Sequence, residues 1–172
     1  KLWDLDFPYR YTVETIIKKG GKTIDKYLTP FGIRSVKFDK DKGFFLNNKH
    51  LKLKGMCLHQ DAGCLGTAVP DRAYERRLLI LKEFGTNAIR CSHNPPSPEF
   101  LNYCDSIGFL VIDEAFDKWK SGYYEEFFDS SWQQDISDMV IRDRNHPSVI
   151  LWSIGNELAE AKLKDDTAVS YT

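Results

Sequence analysis

Asn156 and Glu157 place an amide and a carboxylate just behind the apolar, β-branched and aromatic run Val149-Ile150-Leu151-Trp152-Ser153-Ile154, with Gly155 loosening the backbone between them. A carboxylate at the end of a buried segment is costly unless something pairs with it or uses it. If the run is a strand of an open α/β sheet or a barrel, its carboxyl end is where catalytic groups sit. The chemistry on offer is proton transfer by the carboxyl group and hydrogen bonding by the amide. A helix start capped by Asn156 is the competing reading. Three further polar clusters favour chemistry, because each follows a short apolar run of its own: His59 with Asp61, Arg90 with His93, and Asp113 with Glu114.

These residue types restrict the options. An arginine directly after Ile89 needs a partner, either a carboxylate across a site or a structural ion pair with Asp113 or Glu114. His59, Asp61 and His93 are of the types that bind zinc, but their spacing matches no compact metal motif. Sugar hydroxyls call for the same donors and acceptors, so no metal and no other cofactor is expected. Trp119, Tyr123, Tyr124, Phe127 and Phe128 form an aromatic-rich loop that either stacks on a sugar ring or covers the mouth of the site.

The elements that must position these groups change character along the chain. Tyr9 to Ile17 and Thr23 to Leu28 alternate apolar and polar residues around Lys19-Gly20-Gly21-Lys22, a hairpin signature. Thr29-Pro30-Phe31-Gly32 breaks the alternation, and Ile33 to Phe38 resumes it. Three strands cannot close a sandwich, so residues 1–40 are expected to be the C-terminal strands of a β-sandwich whose earlier strands lie outside the chain.

From about residue 44 the pattern becomes strand–helix alternation. Phe44-Phe45-Leu46 and Leu51-Lys52-Leu53 flank an Asn47-Asn48-Lys49 turn, and a strand then runs from Leu53 to Leu58. Asp71 can cap a helix that presents Tyr74, Leu78 and Leu81 on one face and stops at Gly85. Asn87 to Cys91 is a second strand. Ser97-Pro98-Glu99 opens a helix that presents Phe100, Leu101, Cys104 and Ile107 and ends at Gly108. Phe109 to Ile112 is a third strand, and Ser131 to Arg144 a helix with Trp132, Ile136, Met139 and Val140 inward. Pro147 closes that helix, and the fourth strand, Val149 to Ile154, is expected to be buried on both faces. Four strands joined by three crossovers, with a polar cluster at the same end of each, predict α/β architecture: roughly half of a (β/α)8 barrel over residues 41–172.

Composition sets outer bounds. The 172 residues carry 42% hydrophobic and 28% charged side chains with a formal net charge of −1. That balance implies no polyanion-binding field, so no nucleic-acid partner is expected. No apolar run approaches the ~18 residues of a membrane helix, and no signal-type segment opens the chain; no compartment follows, though a periplasmic or secreted location fits. The four cysteines, Cys57, Cys64, Cys91 and Cys104, lack CxxC spacing and read as small core residues.

One resemblance joins these features. Phe31-Gly32-Ile33-Arg34, Gly43-Phe44-Phe45-Leu46-Asn47, Leu53-Lys54-Gly55, His59-Gln60-Asp61, Asn87 to His93, Asp113-Glu114-Ala115 and Arg142 through Glu157 resemble glycoside hydrolase family 2, most closely its bacterial β-galactosidases. The resemblance implies an immunoglobulin-like β-sandwich followed by the first half of a catalytic TIM barrel. It makes Glu157 the general acid/base and places Asn156 on the sugar 2-hydroxyl. Arg90 would hold the nucleophilic carboxylate, while His59, Asp61 and His93 would line the sugar site. Two departures stand out. Many relatives read His-His-Asp where this chain has His59-Gln60-Asp61. Some β-galactosidases carry magnesium ligands shortly after the third strand, where this chain has Phe116-Asp117-Lys118-Trp119, and a lysine there argues against such a metal.

The expected activity is therefore retaining hydrolysis of terminal β-D-galactosides, with a carbohydrate as the partner. Retention needs two carboxyl groups, and the resemblance puts the nucleophile on a seventh strand beyond this chain, so the fragment alone is expected to be inactive. β-Glucuronidase or β-mannosidase activity, a non-catalytic carbohydrate-binding fragment and a metal-dependent hydrolase are the alternatives. The open edge of the fourth strand is expected to promote self-association.

Overall fold

The computed structural model describes residues 1–158. Strands β1 (Tyr11–Lys19) and β2 (Lys22–Phe31) form an antiparallel hairpin, with Tyr11 opposite Phe31 and Lys19 opposite Lys22. Gly20 and Gly21 both take positive φ, as a two-residue hairpin turn of this hand requires. The break expected at Thr29-Pro30 does not occur, and β2 runs on to Phe31. Among the described residues this sheet has only two strands, so β2 keeps an open edge there, where a proline is tolerated.

The third expected strand shortens and changes partners. Only Val36–Asp39 (β3) is extended, and it pairs with Gly43–Leu46 (β4) rather than with the first hairpin. Asn47 and Asn48 make a positive-φ turn into a two-residue strand, β5 (Lys49–His50), so Leu51 to Leu53 is not a strand. Residues 33 and 34 are engaged elsewhere. The Ile33 carbonyl accepts from the Trp3 amide at 2.8 Å, and the Arg34 guanidinium donates to the carbonyls of Pro147 and Val149. Gly32 lets this segment lie against Pro147 and Trp3, where a Cβ would meet both side chains.

A four-stranded parallel sheet carries the rest, ordered β6 (Gly55–His59), β7 (Ala88–Ser92), β8 (Leu110–Glu114), β9 (Val149–Ser153). Its crossovers are helices α1 (Asp71–Glu83), α2 (Pro98–Ile107) and α3 (Glu125–Asp143). The Ser97 hydroxyl accepts from the Phe100 amide, and Gly108 closes α2 in the left-handed region. Asp71 is not a cap: it is the first residue of α1, behind Pro70, and contributes its charge to the first turn. α3 begins six residues before the expected Ser131, so Phe127 and Phe128 are helical and not in a loop; Glu125 and Glu126 supply the acidic first turn.

Alternation along the strands sorts the side chains between two cores. Ile89, Cys91, Val111 and Val149 face the helices and pack with Tyr74, Leu78, Phe100, Leu101, Cys104 and Phe109. Ala88 and Leu110, on the concave face at the amino end of the sheet, pack with Trp3, Leu5, Phe44 and Leu46. The N-terminal segment and β4 therefore close the end of the sheet opposite the polar clusters, and the Trp3 indole donates to the Asp105 carbonyl at 2.9 Å. Asp105 itself is buried and accepts from the Ser148 amide at 3.1 Å and pairs with His146 at 2.6 Å, which ties α2 to the start of β9.

Two expectations about burial need correction. β9 is not covered on both faces: Leu151 and Trp152 are partly exposed, because among the described residues β8 is its only strand partner. Cys57, on the concave face of β6, and Cys64 are exposed, while only Cys91 and Cys104 are buried; all four cysteines are free thiols.

Candidate active site

Period-two alternation decides which polar strand-end residues can meet. Arg90 stands opposite Ile112, and Glu114 opposite Ser153, so Arg90, Glu114 and Ser153 fall on one face of the sheet. The Arg90 guanidinium grips the Glu114 carboxylate, with Nε at 2.9 Å from Oε2 and Nη2 at 2.7 and 3.0 Å from the two oxygens. Ser153 Oγ donates to the same carboxylate at 2.7 Å, and His93 Nδ1 lies 2.6 Å from Oε1. Glu114 is completely buried and fully engaged. The sequence left Arg90 either a carboxylate across the site or an ion pair with Asp113 or Glu114, and among the described residues its carboxylate partner is Glu114.

The network continues outward to the residues after β9. Arg90 Nη2 donates to Asn156 Oδ1 at 3.1 Å, and Asn156 Nδ2 donates to Asp117 Oδ1 at 2.9 Å, which fixes the amide at both ends. The Asn156 amide N–H also donates to the Asp117 carbonyl at 2.6 Å. Trp119 Nε1 donates to the Ile154 carbonyl at 2.7 Å. The loop after β8 thus holds the segment after β9 at three points. Lys118 adds a fourth, because its ammonium donates to Glu157 Oε2 at 2.9 Å and to Asp117 Oδ1 at 3.1 Å. Glu157 is 76% exposed at its side chain, and the Lys118 ammonium holds its carboxyl below the usual carboxylate range.

Of the six residues expected to form the site, Arg90, His93, Asn156 and Glu157 meet in this network, and the His59 ring lies edge-on to that of His93 with centroids 5.3 Å apart. Asp61 turns away. Its backbone carbonyl accepts from Arg77 of α1, whose guanidinium also lies 3.6 Å from its carboxylate. Sequence reasoning undervalued Glu114, Ser153, Asp117 and Lys118. Counting alternate residues from Arg90 would have found the first two, whereas a loop contact such as Lys118–Glu157 leaves no periodic trace. The aromatic segment packs largely on itself: Trp119 stacks on Phe128, Phe128 on Trp132, and Phe116 on Tyr124, while Tyr123 is fully exposed.

Asp113, one residue before Glu114, points to the helix side. It is buried beside Asp143, itself gripped by Arg142 at 2.6–2.7 Å. Burial, and then the Asp143 charge, push the Asp113 carboxyl up to about 8, so it is protonated at neutral pH. An unfolded aspartate loses its proton near pH 4. The folded state therefore binds the extra proton, and its stability should fall as pH rises from about 4 and level off above about 8. Asp113→Asn should flatten that slope. Denaturation midpoints of the full-length protein and the variant at pH 5, 7 and 9 check this, and parallel slopes would contradict it.

Comparison with known proteins agrees with this architecture. The model of the glycosyl hydrolases family 2 TIM barrel domain matches residues 36–170, and a second glycosyl hydrolases family 2 model matches residues 1–34. Beta-galactosidase BoGH2A of Bacteroides ovatus is 52% identical over 164 residues, covering 93% of this chain and 19% of that protein. A beta-glucuronidase of Bacteroides fragilis is 34% identical, covering 99% and 25%. Among solved structures, a glycosyl hydrolase family 2 member from Bacteroides cellulosilyticus superposes with a TM-score of 0.91 at 48% identity, covering 98% of this chain and 22% of that one. The beta-glucuronidase of Parabacteroides merdae gives 0.81 at 31% identity, covering 91% and 19%. The chain thus spans about a fifth of the length of such relatives. Its half-barrel, preceded by antiparallel strands and carrying a carboxylate network along the strand ends, belongs to glycosyl hydrolases family 2.

Proposed function

We propose that the protein to which this chain contributes hydrolyses terminal β-D-galactosides with retention of configuration, Glu157 acting as general acid/base. The observation that carries the reading is the pairing of an exposed Glu157 carboxylate with a neighbouring Asn156 amide clamped between Arg90 and Asp117. A proton-transfer group must reach the glycosidic oxygen, while its neighbour holds a sugar hydroxyl in fixed orientation. Retention also requires a carboxylate nucleophile ~5–5.5 Å from the acid. Neither internal candidate suits that role, because Glu114 is engaged by three partners and Asp113 faces the helices. The nucleophile is therefore assigned outside residues 1–158. Its negative charge near Glu157 would raise the proton affinity that Lys118 lowers.

The choice of galactose rests on similarity to the protein named beta-galactosidase BoGH2A. β-Glucuronide hydrolysis is the second reading, favoured by the beta-glucuronidase relatives. Initial rates of the full-length protein on aryl β-D-galactoside, β-D-glucuronide and β-D-mannoside separate these readings, and NMR of the first-formed anomer reports the stereochemistry. A faster glucuronide, or an inverted first product, would overturn the primary reading.

We assign His59, Asp61 and His93 to the sugar site and Arg90 to positioning, and place residues 1–40 with a β-sandwich and 41–172, of which 159–172 lie outside the described residues, with the barrel. The β3–β4 pairing crosses that boundary, so some sandwich-side residues serve the barrel. A polypeptide of these 172 residues alone should self-associate along the edge of β9 that has no strand partner among the described residues, where Leu151, Trp152 and Ile154 are exposed. Light scattering that gives a monomer mass would count against it.

A further inference from the structure

Lys118 makes the one direct side-chain hydrogen bond to Glu157 among the described residues. Its position is prepared. Asp117 is fixed by Asn156, and Trp119 by the Ile154 carbonyl, so the residues on either side of Lys118 are both fastened to the segment that carries Glu157. From there the ammonium bridges the Asp117 and Glu157 carboxylates, at 3.1 and 2.9 Å, and reaches the Asn156 carbonyl at 3.5 Å. Three acceptors match the three donors of an ammonium group.

We propose that Lys118 is a positioning residue for the acid/base, its ammonium fixing the Glu157 carboxylate through the bridge to Asp117. A positive charge at that distance also biases the carboxylate toward its ionised form. The proposal rests on Glu157 being the acid/base. Every charged neighbour of the pair enters the balance. Asp117 on the same loop opposes the bias, and His93 from the β7 end, when charged, adds to it. From β7 and β8, Arg90 and Glu114 largely neutralise one another and act through Asn156. Lys118 is the dominant influence, and its own proton is held more tightly by Glu157 and Asp117, so it stays charged through the working range.

The sign of the effect follows. For substrates with poor leaving groups, kcat/KM needs Glu157 protonated in the free enzyme, so the alkaline limb of its pH profile reports loss of that proton. Removing the ammonium raises the proton affinity of Glu157 and moves the limb to higher pH. The test uses the full-length protein and an alkyl β-D-galactoside, comparing wild type with Lys118→Met, Lys118→Arg and Glu157→Gln. Lys118→Met should show the upward shift, with the variant-to-wild-type ratio of kcat/KM rising steadily across the limb, and Lys118→Arg should keep the wild-type profile. Should Lys118→Met fail to fold by circular dichroism, Lys118→Gln makes the same comparison. A crippled Glu157→Gln alongside an unshifted limb in the Lys118 variants would overturn this proposal and leave the acid/base reading intact. A fully active Glu157→Gln would overturn both.

Discussion

Glu157→Gln in the full-length protein should lower kcat/KM for galactosides with poor leaving groups by about 10²–10⁴-fold, the range typical of general acid–base catalysis. An alkoxide cannot depart from the anomeric carbon without a proton, and the glutamine amide has none to give. Activated aryl galactosides expel a stabilised phenolate, so their first step should suffer far less. Their second step should slow, because the same group must then take a proton from the attacking water. Azide needs no such help. Added to the variant, it should restore turnover of the aryl substrate and yield a glycosyl azide of retained configuration. The substitution is nearly isosteric at an exposed position whose direct side-chain partner is Lys118, so the fold should be unaffected. Equal losses on both substrate types, without azide rescue, would remove Glu157 from the acid/base role.

Much of this arrangement was legible in the chain because local signals and tertiary demands agree. Ser97-Pro98-Glu99 and Gly108 bracket α2 as capping chemistry requires, and the Gly20-Gly21 turn sets the register of the first hairpin. The four parallel strands appear where short apolar runs end in polar clusters. What escaped was decided by distant partners. Residues 33 and 34 alternate like a strand but spend their hydrogen bonds on Trp3, Pro147 and Val149. Asp61 occupies a strand-end position yet is drawn to Arg77, a residue on a helix. The aromatic stretch from Trp119 to Phe128 hid the acidic first turn of α3, because stacked rings suit a loop and a helix equally well. Lys118 entered the sequence reading only as an argument against a metal; its contact with Glu157 depends on two loops meeting, which no periodicity encodes.

The Arg90–Glu114 pair shows how the buried part of this network supports the exposed part, and Arg90→Met should expose the dependence. Glu114 is fully buried, so losing the guanidinium strands a carboxylate with only His93 and Ser153 as partners. Breaking a buried pair from one side costs roughly 3–5 kcal/mol, and the partial exposure of Arg90 places the expected loss toward the lower end. Activity should fall as well, by a separate route. Asn156 loses the donor to its Oδ1 and is then held only through Asp117, and small displacements of a positioning group can cost about 10²-fold. The double variant Arg90→Met/Glu114→Gln separates the two losses. With no stranded charge it should regain most of the stability, because a neutral amide can still accept from Ser153 and meet His93. Its activity should stay low, since nothing replaces the bond to Asn156. Unfolding midpoints and kcat/KM measured on the wild type, both single variants and the double variant complete the cycle. A double variant as unstable as Arg90→Met would mean that packing of the guanidinium dominates, rather than its charge. A double variant with wild-type activity would mean that Asp117 suffices to orient Asn156, and that Arg90 serves the fold of the half-barrel alone.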